Sequence, residues 1–280
     1  INFAHGEVFM VGAMSGFITS DKLHAAGWWE SNFLLSLTVV TIIAIVTSTL
    51  TAVVTERVAY RPLRNSPRLI PLITSIGVSF FIQNAVMGLL GPATKSYPKL
   101  PDWLTKQRSI LTFEIAGTKI MVVTVAAASM AGLWYLVERT KTGRAMRAVA
   151  EDKEIAALMG INVNRIIVIT FAVGGTMAGI GGILWGLLFR SVHHMTGFLP
   201  GIKAFTAAVV GGIGNMGGAM AGGVALGSAE SVAPMVLMEP LGIPGVSQLK
   251  DAVAFTVLVL VLLFRPAGLF GERLAQEDRA

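Results

Sequence analysis

Long stretches without a charged residue dominate the chain. Five of them cover residues 33–54, 70–94, 120–137, 166–189 and 204–229. Each is close to the roughly 20 apolar residues that an α-helix needs to cross the hydrocarbon core of a bilayer. Two shorter runs, residues 8–20 and 252–264, need flanking residues, tilt or burial in a bundle to cross. The pattern predicts an all-α polytopic membrane protein with about seven transmembrane segments.

The composition supports this interpretation. Hydrophobic residues make up 54% of the chain and charged residues 14%, whereas an average soluble domain has about 25% charged residues. A transmembrane β-barrel would alternate apolar and polar positions, which these continuous runs do not. The lack of cysteine excludes disulfides, thiolate metal sites and a cysteine nucleophile. The net charge of +6 does not indicate nucleic-acid binding, because the cations are spread over many loops.

Basic residues indicate the orientation in the membrane. The connection at residues 55–69 holds four arginines and one acid, and the loop at residues 138–165 has several cations close to a membrane end. Both connections are therefore predicted to lie in the cytoplasm. Segments 21–32 and 92–116 are then predicted to lie outside.

The cytoplasmic loop at residues 138–165 contains a short helix with marked ends. Glu151 and Asp152 stand where acids complement a helix N-terminus, and residues 153–159 give about two turns. Gly160 follows where a left-handed C-cap belongs.

We expect Ile155, Ala156 and Met159 to form one apolar face of this helix. A loop offers nothing to cover such a face, so the sequence predicts contact with a partner protein. The candidate interface comprises Ala150, Glu151, Asp152, Glu154, Ile155, Ala156, Met159 and Gly160.

Two glycine patterns predict close contacts between helices. One follows i, i+4, i+7, i+11 spacing and the other repeats the small-xxx-small spacing. They comprise Gly175, Gly179, Gly182 and Gly186, and then Gly214, Gly218 and Gly222. The second pattern lies in the glycine-rich run 211–223, which is poor at holding one continuous helix. A broken or re-entrant span is therefore expected there.

Polar residues within the apolar runs are candidates for a translocation path. They are Asn2, His5, Asn84 and Asn215. An ionisable residue inside a span is a functional hypothesis by default, and uncharged amides line a route at a small desolvation cost. The same residues could instead form hydrogen bonds between helices or within a turn. The sequence does not decide between these roles. No metal site is predicted, because the adjacent His193 and His194 have no carboxylate or cysteine nearby in sequence.

Five motifs in a fixed order resemble one family. They are INFAHGEVFMVGA at Ile1, ERVAYRPLR at Glu56, AEDKEIAALMGINVNR at Ala150, GFLPGIKAFTAAVVGGIGNMGGAMAGG at Gly197 and the terminal LLFRPAGLFG. Nearly end to end, the chain resembles the LivH-type permease subunit of branched-chain amino acid ABC importers. Members of that family usually have one more transmembrane helix before INFAHG, so eight spans are expected for an intact subunit.

The resemblance implies a single transmembrane permease domain over residues 1–280, with type II ABC importer architecture, in the bacterial inner membrane. It implies a second, LivM-type permease, two cytoplasmic ATPase subunits, a periplasmic or lipid-anchored binding protein, and contact with membrane lipid. Residues 150–160 would correspond to the family's coupling helix, which sits in a groove of the ATPase. The substrate would be a branched-chain or related small amino acid.

ATP and Mg²⁺ are expected on the partner ATPase, and no cofactor on this chain, because the sequence has no GxxxxGK[ST] phosphate loop. A self-sufficient secondary transporter is the main alternative. Such a protein would be expected to show intramembrane ion-coupling residues and often an internal repeat, and neither is evident. A membrane-embedded enzyme would need catalytic residues that converge within the spans, and the four histidines do not assemble such a set.

Overall fold

The computed structural model describes residues 2–64, 66–67, 69–110, 113–212, 214–233, 236, 250–265 and 267–270. Its internal contacts divide the chain into two compact units, Ile1–Gly201 and Ile202–Ala280, and each is described by itself. The expectation of one transmembrane domain over residues 1–280 stays a prediction.

In its described residues, the first unit combines five long helices with short helices and two small antiparallel sheets. The long helices are α1 (His5–Ala25), α3 (Phe33–Thr55), α4 (Leu69–Leu90), α6 (Gly117–Arg139) and α9 (Val163–Phe189). The short helices are α2 (Trp28–Ser31), α5 (Asp102–Thr105), α7 (Lys141–Glu151) and α8 (Lys153–Leu158), with a π-helical turn at Glu56–Tyr60 and a 3-10 turn at Arg61–Leu63. The strands are β1 (Lys95–Ser96), β2 (Gln107–Ile110), β3 (Phe113–Ala116) and β4 (Ser191–Val192).

The sheets pair β1 with β4 and β2 with β3. Lys95 lies opposite Val192 in the first sheet, and Gln107 lies opposite Ala116 in the second. Helix α10 (Phe198–Gly211) begins in the first unit and continues into the second. The second unit also contains α11 (Met216–Ala233) and α12 (Lys250–Phe264).

Helices α1, α3 and α9 form the core of the first unit and pack through small residues. On α3 the buried positions recur every fourth residue and are mostly small: Ser36, Val40, Ala44, Ser48 and Ala52. The leucine and isoleucine side chains on the opposite face of α3 are exposed. This distribution is expected where the surroundings are lipid, because small residues allow close helix contact and large apolar residues lose nothing by facing outward.

The glycines of α9 bring its backbone against neighbouring elements. A Cβ atom added at Gly175 or Gly179 would lie 2.8 Å from backbone atoms of α3, and one at Gly182 would lie 2.7 Å from backbone atoms of α1. A Cβ atom at Gly186 would overlap the ring of Tyr97. The predicted glycine face therefore contacts two helices and one aromatic ring, with no room for a larger side chain.

Connections predicted to share one side of the membrane lie together in the first unit. The Arg64 guanidinium donates to Oδ1 of Asn164, which joins the 55–69 connection to the start of α9. At the other end, Nε1 of Trp29 donates to the carbonyl of Lys99 at 2.9 Å, which joins the 21–32 and 92–116 segments. These contacts agree with the two groups of loops derived from the basic residues.

The chain turns back after α9. Arg190 ends this helix with a left-handed backbone, φ 56°, which is uncommon for a residue other than glycine. Helices α1 and α9 run in the same direction, since Gly174 adjoins His5 and Ile183 adjoins Gly16. Further along the chain, the backbone of Gly197 nevertheless lies against Gly6 at the start of α1. Residues 190–201 therefore return along α1, a re-entrant course that the sequence did not indicate.

In the second unit, α10 and α11 meet at a sharp break. The two helices are bent by 119°, and the break contains Gly212 with φ 107° and Gly214 with φ 98°, angles that glycine adopts readily. The uncharged run 204–229 is therefore a broken element, as the glycine content suggests. Gly218 and Gly222 contact the backbone of α10. The predicted helix contact at Gly214 is wrong for the described residues, because none of their atoms lies within 4 Å of a Cβ atom built there.

Four helices among the described residues are long and apolar enough to cross a membrane, and the bent α10 and α11 pair is a fifth candidate. These candidates correspond to the five long uncharged runs. Helix α1 has 21 residues but does not meet the same test. Helix α12 has 15 residues and so extends about 22 Å, less than the roughly 30 Å of a bilayer core. The total of seven segments stays a prediction.

We expect Gly179→Leu to destabilise the protein, because the new side chain must push the α3 backbone away. Overpacking of this kind typically costs about 1–3 kcal/mol and occasionally more. The matched control is Gly132→Leu on α6, where no atom of the residues that the structure describes lies within 4 Å of an added Cβ atom. Thermal unfolding of the detergent-purified proteins should show a lower midpoint for Gly179→Leu only. Equal midpoints for the two variants would contradict the packing argument.

Candidate functional site

The short helix predicted in the 138–165 loop is α8, and Asp152 caps it. Oδ1 of Asp152 accepts hydrogen bonds from the backbone N–H groups of Glu154, at 2.7 Å, and Ile155, at 2.9 Å. Gly160 follows the helix with φ 82°, as the C-cap prediction required. The placement of Glu151 at the start of this helix is wrong. Glu151 is the last residue of α7, and the extended backbone of Asp152 separates the two helices.

The apolar surface of α8 differs from the predicted face. Ile155, Leu158 and Met159 are 59%, 86% and 78% exposed, whereas Ala156 is only 3% exposed. Ala156 faces its own chain, and its carbonyl accepts a hydrogen bond from the N–H of Ile161. Successive residues of an α-helix lie about 100° apart, so Ile155 and Ala156 cannot both point outward on one narrow face. We call Ile155, Leu158 and Met159 the exposed α8 surface.

A buried carboxylate joins α1 to α4. Glu7 is 0% exposed, and its Oε1 accepts hydrogen bonds from Nε2 of Gln83 at 2.6 Å and from the Ser79 hydroxyl at 3.1 Å. Its Oε2 has no hydrogen-bond partner in the described part of the chain. An ionisable residue inside a helical membrane protein is costly to bury and usually has a function. We call Glu7, Ser79 and Gln83 the Glu7 cluster.

Helix α4 is polar on its inner side. Its buried residues are Ser75, Ser79, Ile82 and Gln83, whereas Phe80 and Phe81 are exposed. The hydroxyl of Ser75 also accepts from the N–H of Phe3, at 3.4 Å. The signal that could have found this surface is the i, i+4, i+8 spacing of Ser75, Ser79 and Gln83, which places one polar stripe along an otherwise apolar helix.

Two of the four translocation-path candidates make structural hydrogen bonds. Oδ1 of Asn2 accepts from the hydroxyl of Tyr60 at 2.6 Å, which links the N-terminal segment to the turn after α3. Asn215 stands before α11, where its Oδ1 accepts from the N–H of Gly218 at 2.9 Å and its Nδ2 donates to the carbonyl of Phe270 at 3.0 Å.

The other two candidates lie on exposed positions of the first unit. His5 is exposed and adjoins Gly174 on α9. Asn84 is also exposed, and its Nδ2 donates to the carbonyl of Phe80 in its own helix at 2.8 Å. The structure does not bring His5 and Asn84 together, and their part in a path stays a prediction.

An ionic cluster in the second unit joins three helices. Nζ of Lys203 on α10 lies 2.9 Å from Oε2 of Glu230 on α11 and 2.7 Å from Oδ1 of Asp251 on α12. These residues are far apart in the chain, so their spacing in the sequence gives no sign of the contact. Among the described residues, no group of three or more His, Cys, Asp or Glu side chains could hold a metal ion.

Comparisons with known proteins match almost the whole chain to one family of permeases. The family model described as the permease component of the branched-chain amino acid transport system matches residues 1–262. The chain is 44% identical to the high-affinity branched-chain amino acid transport system permease protein BraD of Pseudomonas aeruginosa, over 97% of this chain and 86% of BraD. It is 39% identical to the LivH permease proteins of Salmonella typhimurium and Escherichia coli, over 97% of this chain and 85% of each LivH. No solved structure matches the chain.

We expect Glu7→Leu to destabilise the contact between α1 and α4. The substitution removes the acceptor for Gln83 and Ser79, and each buried donor left unpaired costs about 1–3 kcal/mol. Glu7→Gln retains a carbonyl acceptor and should have a smaller effect. Glu30→Leu, at an exposed position on α2, is the control for loss of a carboxylate. If Glu7→Leu and Glu30→Leu have the same thermal midpoint in detergent, the Glu7 cluster does not hold α4 in place.

Proposed function

Because this chain belongs to the family of permease components of branched-chain amino acid transport systems, we propose that it is the permease subunit of an ATP-driven importer. In this proposal it forms part of the translocation path for branched-chain or related small amino acids that a binding protein delivers. The observation that carries the proposal is the exposed α8 surface, because it offers a contact for a separate motor subunit at the predicted cytoplasmic end.

The proposed assembly contains a second, LivM-type permease, two cytoplasmic ATPase subunits that bind ATP and Mg²⁺, and a periplasmic or lipid-anchored binding protein, all at the bacterial inner membrane. The exposed surface of α6 is evidence that a partner permease or lipid surrounds this helix. None of its residues is buried within the described structure, although it is apolar enough to span a membrane. The broken α10 and α11 pair and the re-entrant segment 190–201 are compatible with type II importer architecture.

Two features of α8 support its role as the ATPase contact. Asp152 and Gly160 define the ends of the helix, and the buried Ala156 anchors it to its own chain. The helix can therefore transmit a displacement to α7 and α9, which flank it in sequence. Its three large apolar side chains are exposed, as expected for a surface that a partner protein covers.

The Glu7 cluster supports a polar route past α1. Its oxygen and amide groups lie on the inner side of α4, and a zwitterionic amino acid needs such groups to replace part of its hydration. Within the first unit, we therefore add Glu7, Ser79 and Gln83 to the proposed path residues.

One observation favours a secondary transporter as the second candidate. Glu7 is a buried carboxylate of the kind that can bind a coupling proton or cation in such proteins. The two candidates differ in their source of energy. Proteoliposomes containing the co-purified complex should take up leucine only when ATP and Mg²⁺ face the proposed ATPase. A proton ionophore should leave this uptake unchanged. Uptake driven by a pH or sodium gradient in the absence of ATP would favour the secondary transporter.

We expect Leu158→Asp to reduce ATPase association and leucine uptake without loss of the folded permease. Leu158 is exposed, so the charge costs little in the free chain, but an unpaired charge buried in an interface costs several kcal/mol. Thr105→Asp, at an exposed position on α5, is the control for the added charge and should behave as the wild type. Co-purification of the ATPase and uptake into vesicles are the measurements.

Ala156→Asp provides a useful contrast. Because Ala156 is buried against its own chain, this substitution should lower the amount of folded permease as well as its activity. If Leu158→Asp leaves ATPase association and uptake unchanged, the exposed α8 surface is not the contact with the motor.

A further inference from the structure

A basic pocket lies beside the start of α9, at the predicted cytoplasmic end of the first unit. Its volume is about 310 Å³. It is lined by Arg57, Arg61, Asn162, Asn164, Arg165, Val168 and Ile169. We call it the arginine pocket. It is distinct from the exposed α8 surface and from the Glu7 cluster.

The positive charges of the arginine pocket are not balanced by nearby acids. In the part of the chain that the structure describes, Arg57, Arg61 and Arg165 form no ion pair. The acid next to Arg57 in sequence, Glu56, is buried and pairs instead with Arg64. Three arginines that line one pocket and form no ion pair attract an anion, and the positive end of the α9 dipole adds to this attraction.

Because the cations of the pocket are arginines, phosphate is the anion that fits it best. Its planar guanidinium presents paired N–H groups that match the oxygens of a phosphate, and such charge-assisted hydrogen bonds are strong. The amides of Asn162 and Asn164 line the same pocket, although their Oδ1 atoms already accept hydrogen bonds from the N–H of Arg165 and the guanidinium of Arg64. The pocket therefore fits a phosphate group.

The position of the pocket favours a phosphate that is attached to a lipid. The candidate span of α9 begins at Val163, and the candidate span that includes α3 ends at Leu63. The pocket thus lies where two spans reach the membrane surface, which is the depth of lipid headgroups. Val168 and Ile169 supply an apolar wall, and Val58, between Arg57 and Arg61 in sequence, is largely exposed.

We propose that the arginine pocket binds the phosphate of an anionic phospholipid in the cytoplasmic leaflet, with an acyl chain along the apolar side of α9. Basic pockets beside transmembrane helices recognise anionic headgroups in this way, and each cation near the membrane surface strengthens the attraction. This binding does not depend on the transported substrate or on the ATPase.

Native mass spectrometry of the intact protein in a neutral detergent tests the proposal. The probes are short-chain phosphatidylglycerol, short-chain phosphatidylcholine and inorganic phosphate. We expect phosphatidylglycerol to bind at least about tenfold more tightly than phosphatidylcholine. Substitution of glutamine for Arg57, Arg61 and Arg165 together should abolish this preference. The control replaces Lys22, Lys99 and Lys106 with glutamine, which removes the same charge from segments predicted to lie at the other end, and should keep the preference.

Each of the following results would overturn the proposal. Equal binding of the two lipids to the wild type would show that the pocket does not select a negative charge. If replacing the three arginines and replacing the three control lysines weaken the preference for phosphatidylglycerol equally, that preference arises from the overall positive charge of the protein. Displacement of phosphatidylglycerol by an equal concentration of inorganic phosphate would make free phosphate the ligand. If the glutamine variant does not fold, a variant with lysine at all three arginine positions keeps the charge and should still prefer phosphatidylglycerol; binding without that preference would also overturn the proposal.

Discussion

Contact between backbones at glycine is the interaction on which the rest of the first unit depends. In lipid, bringing large apolar side chains together gains little, so helices associate through close van der Waals contact and hydrogen bonds. The glycines of α9 bring it against α3 and α1, and Gly6 allows the return segment to reach the start of α1. These contacts fix the rotation of α1 about its axis. That rotation turns Glu7 toward α4 rather than toward lipid.

The same close packing of glycines explains why the polar side of α4 faces α1. Since α1 is held by α3 and α9, its remaining side is available to α4, which meets it with two serines and a glutamine. A membrane helix with this distribution can form hydrogen bonds inward and contact lipid or another subunit outward. The second unit contains a partly exposed ionic contact, in which Lys203 joins acids from two further helices. Polar contacts thus join α4 to α1 and α12 to α10, and they add to the glycine contacts between α10 and α11.

The predicted cytoplasmic end carries two surfaces of different chemistry. The exposed α8 surface is apolar and rests on a helix whose two ends are capped, which suits transient contact with a protein. The arginine pocket is basic, open and placed at the ends of two spans, which suits a lipid headgroup. Arg64 links the two connections of this end by bonding to Asn164 while it pairs with the buried Glu56. A displacement of α8 would therefore reach both α3 and α9, because Arg64 connects these two helices at this end.

Features that depend on local composition could be read from the sequence. The five apolar runs, the cap at Asp152, the turn at Gly160 and the glycine face of α9 each follow from residue type and spacing within one element. Tertiary structure decided which side of each helix faces inward, because that choice depends on the neighbours. It buried Ala156 and exposed Leu158, and it turned Gln83 inward and Asn84 outward. It also brought Lys203 to Glu230 and Asp251, since contacts between distant segments exist only after the helices have packed.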